Sequence, residues 1–332
     1  MDSKRPHKYC ALRQICYIVC ILLMSACTWV KDDVDSCPYG FWLNLHYTYN
    51  MLDVEAAPEY ISEVAVYIYD ADGNYVSRLD VPQSALKANG HRVRVEGIPE
   101  GDYQFVVWSG IGNSQYAISG DRGTMDGFRL SLAGAESKAS TRLPDLYYGS
   151  LPTVHYDEAY ASHDVYMMKN TNQLACLVVP MTDDTTVSPE DYDMRIVSAN
   201  GVMDVFNKPV SGQAVTYEPF ERKAVTFDDA EYGELHGISF NIMTLRLMED
   251  KDCRLILEKK DTGETVFNIS FPEYIGMIGA LYLNNGRQLS VQEYLDRQDF
   301  YTIVFFLSED LNQLIQLQVN SWRLRAKNHL KL

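Results

Sequence analysis

EVAVYIYDADGNYVSRL, residues Glu63–Leu79, is the stretch from which the fold can be read. Val64, Val66 and Ile68 recur at every second position, and Tyr67 and Tyr69 fall on the alternate face. Side chains alternate across a strand but come round every 3.6 residues on a helix, so this period of two predicts a β-strand. The pattern breaks at Asp72-Gly73, a pair that accepts the left-handed backbone of a tight turn, so an antiparallel partner strand is expected to follow.

The same reading extends in both directions. Upstream, Phe41, Leu43, Leu45, Tyr47 and Tyr49 share one face against Asn44, His46 and Thr48, which predicts a strand with one buried side. Downstream, HRVRVEGIPEGDYQFVVWSG (His91–Gly110) places Val93 and Val95 before a turn and Tyr103, Phe105 and Val107 after it. Pro99 fixes φ there, and Gly101 is expected to supply the positive φ that reverses the chain. Residues 110–140 are richer in Gly and Ser and read as loops around short strands, and Tyr147–Ser150 reads as a closing turn. The pattern restarts with DVYMMKNTNQLACLVVPM (Asp164–Met181) and YDMRIVSANGVMDVF (Tyr192–Phe206), where Asn200-Gly201 predicts another hairpin. Further strands are expected at AVTYEP (Ala214–Pro219), GISFNIMTLRL (Gly237–Leu247), CRLILEKK (Cys253–Lys260) and ETVFNISF (Glu264–Phe271), with a turn at Asp261–Gly263. YTIVFFL (Tyr301–Leu307) and LIQLQVNSWRLR (Leu314–Arg325) complete the set. In the last run Ile315, Leu317 and Val319 alternate with Gln316, Gln318 and Asn320, whereas Trp322 and Leu324 switch face, the mark of a bulge or a strand end.

One helix is predicted, at LSVQEYLDRQD (Leu289–Asp299), where Ser290 and Glu293 have the spacing of a capping box. Many short strands, few helical periods and no βαβ alternation predict an all-β protein of antiparallel sandwiches. The length of 332 residues suits two domains, and the boundary is expected near residue 155, giving sandwiches over 39–155 and 156–332. The 23 tyrosines suit half-buried strands.

The first 26 residues have a different plan. A basic region through Arg13 precedes an apolar run from Ile15 to Met24 and the small residues Ser25 and Ala26, the three parts of a secretory signal. Leu23-Met24-Ser25-Ala26-Cys27 resembles the bacterial lipobox, which implies cleavage before Cys27 and acylation of its thiol; residues 27–38 would then form a tether. An apolar run of about 10 residues is too short to span a bilayer, whereas two or more acyl chains on one residue hold stably. Lys31, Asp32 and Asp33 are similar to the acidic signal that sends lipoproteins of Bacteroidetes-type bacteria to the outer face of the outer membrane. Without Cys27 and the leader's Cys10, Cys16 and Cys20, the thiols of Cys37, Cys176 and Cys253 remain. An odd number in strand-like surroundings argues against a disulfide framework.

The formal net charge of −16 becomes −19 once the leader's +3 is set aside, and such a surface repels nucleic acid and anionic lipid. No His pair has metal-ligand spacing, no G-x-S-x-G elbow or phosphate-cradling loop occurs, and the carboxylate pairs sit in turn-like sequence. The chain reads as a non-enzyme without a cofactor. Exposed tyrosines leave one alternative, a surface lipoprotein that binds glycans.

Several segments resemble the FimB-like (FimB/Mfa-type) fimbrial anchor subunits of Bacteroidetes-type bacteria. QEYLDRQDFYTIVFFL (Gln292–Leu307) carries most of the resemblance. IPEGDYQFVVWSG (Ile98–Gly110), LYYGSL (Leu146–Leu151), SFNIMTLRLM (Ser239–Met248) and VNSWRLR (Val319–Arg325) support it, with Ser321 departing from the family's glycine. The resemblance implies two transthyretin-like β-sandwich domains and an outer-membrane lipoprotein that anchors a fimbrium and limits its length. Its partners would be a fimbrial shaft subunit, met through β-strand exchange, and outer-membrane lipid, met through Cys27. The run containing Ile315, Leu317 and Val319 is the candidate edge or exchanged strand, with an internal closing strand as the alternative.

Overall fold

A computed structural model describes residues 40–134, 138–181, 188–210, 212, 214–279, 283–284, 287–308, 313–320 and 322–325. The first sheet holds β1 (Phe41–His46), β2 (Val64–Asp70), β3 (Tyr75–Val81), β4 (Arg92–Val95), β5 (Gly101–Ser109), β9 (Tyr147–Tyr156) and β10 (Ala161–Lys169). Their spatial order is β3-β2-β5-β9-β10-β1-β4. The N-terminal part of β10 pairs with β1 in parallel and its last three residues pair with β9, so the sheet folds over on itself along this strand. Phe41 of β1 thereby stacks on Phe105 of β5 at 5.6 Å, and Val64, Val66 and Ile68 point into the same core.

The expected hairpin forms between β2 and β3, with Gly73 at φ +79° and Asp70 accepting from the Asn74 amide at 2.8 Å. The strands are buried on more than the expected side, however. Ala65, Tyr67 and Tyr69 are as inaccessible as the valines opposite, because a three-stranded patch of β6 (Tyr116–Ser119), β7 (Arg129–Leu132) and β13 (Val202–Met203) covers that face. Near Pro99 it is Gly97, at φ +76°, that adopts the left-handed conformation; Gly101 starts β5.

The second sandwich packs a six-stranded sheet against a five-stranded one. The six are β11 (Thr171–Pro180), β15 (Glu221–Asp229), β16 (Gly233–Leu245), β21 (Phe300–Leu307), β22 (Leu314–Val319) and β23 (Trp322–Arg325), ordered β15-β16-β11-β21-β22-β23. The five are β8 (Lys138–Ala139), β12 (Tyr192–Ser198), β14 (Val215–Tyr217), β17 (Cys253–Lys259) and β18 (Thr265–Ser270), ordered β18-β17-β12-β14-β8. A short ladder joins β19 (Leu283–Asn284) to β20 (Arg287–Gln288). Phe305 stacks on Phe267 across the sandwich at 4.5 Å, and Cys176 and Cys253 are buried beside them as small apolar groups. In each half the opening strand lies parallel to a late one, β1 to β10 and β11 to β21.

Three expectations change at this level. Tyr147–Ser150 is the start of β9 and not a turn, since it pairs with β5 on one side and β10 on the other. β9 runs through residue 155 and β10 still belongs to the first sheet, so the chain crosses to the second group of sheets at Asn170; alternation reports a strand but not which sheet it joins. Asn200-Gly201 makes no hairpin. Asn200 is fully buried, donates to the carbonyls of Leu245 and Arg246 at 3.1 and 2.9 Å, and accepts from the Tyr217 hydroxyl at 2.7 Å. Its amide thus satisfies backbone groups that would otherwise be buried without partners.

Among the described residues there are four short α-helices: α1 (Ala57–Tyr60), α2 (Gln83–Ala88), α3 (Phe271–Gly279) and α4 (Val291–Arg297). Only α4 was legible in the sequence, and Ser290 caps it by accepting from the Glu293 amide at 3.1 Å. The Glu293 carboxylate does not close the box. It turns to Arg297 at 3.0 Å and Arg287 at 2.5 Å.

This helix joins the two sandwiches. Asp296 takes a bidentate contact from Arg246, just beyond β16, at 2.7 and 2.8 Å, while Arg246 also donates to the Asn207 carbonyl at 2.6 Å. Arg297 reaches the other way, to Asp53 at 2.5 Å and the Asn50 carbonyl at 3.0 Å, with its guanidinium 4.3 Å over Tyr49. Beyond the helix Asp299 binds Lys169, the last residue of β10, at 2.8 Å. Burial by itself would lower the Lys169 pKa, but Asp299 and Asp145 outweigh it and hold the ammonium above its ordinary value. Likewise burial would raise Glu293, and Arg287 and Arg297 outweigh it to keep the carboxyl below the usual glutamate range.

Removing one partner of a buried pair strands the other charge, so Arg246→Ala is expected to cost about 3–5 kcal/mol in urea unfolding, against at most about 1 kcal/mol for Arg78→Ala at the exposed Arg78–Asp80 pair. Because the folded Glu293 pKa lies below its unfolded value, its contribution is present above about pH 4 and is lost as pH falls through the folded pKa, which acid titration of stability will register. Burial also pushes the Cys253 thiol up to about 12 and Cys176 higher still, so neither is expected to react with a thiol reagent at pH 8 until the protein is unfolded.

Candidate functional site

Cys27, Lys31, Asp32 and Asp33 lie outside the described residues, as does Cys37. Ile315, Leu317 and Val319 lie on β22, which is hydrogen-bonded to β21 on one side and β23 on the other. The strand is therefore internal in this chain and the edge position passes to β23. A bulge also separates the three residues: Phe306 faces Gln316 and Leu307 faces Leu314, which leaves Ile315 without an opposite residue and 44% exposed. Leu314, Leu317 and Val319 fill the core instead. Beyond Val319 the backbone reverses in a hairpin, since Val319 pairs with Trp322 around Asn320 at φ +52°.

Unpaired backbone on a sheet edge is a surface that can take up another strand. Among the described residues β15 is the longest such edge, nine residues against seven in β3, six in β18 and four in β4 and β23. At about 3.3 Å per residue it offers roughly 30 Å of backbone. Glu221, Arg222 and Lys223 charge one end and Asp228 and Asp229 the other, leaving Ala224, Val225, Thr226 and Phe227 uncharged between them. The outer part of the β15–β16 arm is set by Gly237: a Cβ there would lie 2.5 Å from the Val178 carbonyl oxygen. Beyond that point Phe227 and Leu235 pack on Val179, Val304 and Phe306 on the sheet's outer face, and Tyr232 meets Phe306 at 5.5 Å.

Two cavities adjoin at the opposite sandwich. The order β3-β2-β5-β9 with antiparallel pairing brings the end of β3, the start of β2, the end of β5 and the start of β9 to one end of the first sheet. The larger cavity, about 570 Å³, is lined by residues from the last three of these ends, and the smaller, about 180 Å³, by residues from the first three. They share Glu63 and Gly112. Four separate segments build this region, so no local motif announces it.

Comparison with known proteins covers most of the chain. The family model described as fimbrillin-A associated anchor proteins Mfa1 and Mfa2 matches residues 34–328. The chain is 24% identical over 317 residues to the minor fimbrium anchoring subunit Mfa2 of Porphyromonas gingivalis, covering 92% of this chain and 91% of that one. Two solved structures from Bacteroides thetaiotaomicron are also similar. One, described as a candidate polysaccharide-binding protein, aligns at TM-score 0.74 and 29% identity over 87% of this chain and 98% of its own. The other, described as a candidate adhesin, aligns at TM-score 0.77 and 25% identity over 89% and 100%. The resemblance read from the EYLDR segment thus extends over both sandwiches, and the chain belongs to the family of fimbrillin-A associated anchor proteins Mfa1 and Mfa2.

Proposed function

We propose that this protein is an outer-membrane lipoprotein, acylated at Cys27 and displayed on the cell surface, that holds a fimbrium to the cell and limits its length. Membership of an anchor family carries the anchoring part of the reading. The leader and its lipobox support the attachment, because a thioether-linked diacylglycerol plus a further chain resists extraction where one chain does not. Lys31, Asp32 and Asp33 support export to the outer face. A subunit tied to lipid at one end can offer only its other surfaces to a growing shaft, so its incorporation would end growth at that point.

The proposed coupling to the shaft subunit is β-strand exchange. β15 is the element best suited to accept a strand: it is long, open and uncharged in the middle. The run Leu314–Val319 is the alternative participant, though it would have to leave β21 and uncover Leu317 and Val319.

Cys27→Ala is expected to abolish the lipid mass on the protein and to move fimbriae from the cells into the medium; retained fimbriae on a lipid-free protein would overturn the attachment. In an antiparallel edge strand successive amides point alternately inward and outward. Of Val225→Pro and Thr226→Pro, one therefore removes an outward donor with the β16 ladder intact. That variant is expected to fold, to remain lipidated and to lose the shaft. Full retention of the shaft by both would exclude β15 as the acceptor.

A further inference from the structure

We propose that the paired cavities at the end of the first sheet form a binding site for a neutral saccharide chain, a function separate from anchoring. Saccharide recognition needs an aromatic face for the C–H side of a ring and planar polar groups for its hydroxyls, set in a concave site. The larger cavity has both. Tyr60, at the end of α1, is 52% exposed, and its ring is steadied edge-on by the buried Tyr47 at 5.9 Å. Glu59, Ser62, Glu63, Asn113 and Asp145 supply carboxylate, hydroxyl and amide groups around it. The Glu59 and Glu63 carboxylates have no partner among the described residues, so both can accept hydrogen bonds from hydroxyl groups.

The floor is kept open by glycine. A Cβ at Gly112 would lie 2.8 Å from the Glu63 carboxylate, where the two cavities adjoin, and one at Gly110, at φ +88°, would meet the Asp145 carbonyl oxygen at 2.0 Å. On the far side of Gly112 the smaller cavity presents Arg78, bound to Asp80 at 2.6 Å, with Trp108 in its wall. Donors and acceptors on both sides of the joint suit successive rings of one chain better than a single small molecule.

Charge narrows the class. Among the described residues Glu59, Glu63, Asp80 and Asp145 line the two cavities; Arg78 pairs with Asp80 and Lys169 with Asp145, so Glu59 and Glu63 give the site its negative charge. Uronate, sulfated or sialylated chains would be repelled, whereas uncharged hexose units meet no such penalty. A basic peptide is the competing occupant. The exposed hydroxyl-bearing groups and the arginine favour the saccharide.

The test is calorimetric titration of the mature, full-length protein with mannohexaose and cellohexaose, alongside hexagalacturonate and a lysine-rich hexapeptide. At least one neutral hexamer is expected to bind saturably and at least about tenfold more tightly than hexagalacturonate. Tyr60→Ala, on an exposed ring, and Gly112→Ala, which narrows the joint, are each expected to weaken that binding about tenfold or more with unchanged melting and unchanged retention of fimbriae. No binding of either neutral hexamer at millimolar concentration, binding indifferent to Tyr60→Ala, or Tyr60-dependent binding of the peptide alone would overturn the proposal. Because fimbrial retention is scored separately, failure here leaves the anchoring reading untouched, and failure of anchoring leaves this one.

Discussion

The contact on which the rest of the molecule depends is the pair of opposed ion pairs on one short helix. Asp296 grips Arg246 of the second sandwich while its chain neighbour Arg297 grips Asp53 of the first. Their side chains are 6%, 13% and 9% exposed for Asp296, Arg246 and Arg297, so little water screens them and each charge relies on its partner. A pair of this kind adds less net stability than its distance suggests, because desolvation offsets much of the attraction. What it adds is geometry, since bidentate and backbone-supported contacts allow few relative orientations. For a member of an anchor family, a fixed angle between halves matters more than a few kcal/mol.

Burial works with the clamp. The tyrosine face of the first sheet is sealed by strands contributed from both halves, with β13 pairing to β7 and β8 pairing to β14. The loops of residues 110–140 are therefore structural members of the second sandwich as well as connections within the first. One apolar core runs from Tyr67 and Trp108 through Phe128 to Tyr217 and Phe305. Pulling one half away would expose aromatic surface at about 25 cal/mol per Å² as well as break the clamp.

Against this fixed body the two proposed binding surfaces are peripheral. The β15 edge lies at one border of the six-stranded sheet, and the furrow at Tyr60 lies at one end of the first sheet. Neither contains Asp296, Arg246, Arg297 or Asp53, and the furrow touches the joint only through Asp145, which shares Lys169 with Asp299. The clamp residues Asp296 and Arg297 lie within Gln292–Leu307, the segment that carries most of the family resemblance.

Period-two alternation at Phe41–Leu45, Val64–Ile68 and Val93–Val95 made the strands legible, because side-chain direction in a strand is a local property. The Asp72-Gly73 turn, the Ser290 cap and the buried cysteines were legible for the same reason. The expectation of a leader and of a lipobox at Cys27 is likewise a reading of local sequence that calls on no fold, and both lie outside the described residues. Only tertiary structure decided that β10 belongs to the first sheet, that Asn200 is a buried anchor and not a turn, and that Ile315 is pushed outward by a bulge. These depend on which strand lies opposite, and a strand's partner is set by packing across tens to hundreds of residues, as Arg297 to Asp53 and Gly112 to Glu63 show. The furrow was invisible for that reason: its walls come from four strand ends that share nothing in sequence except the sheet order that gathers them.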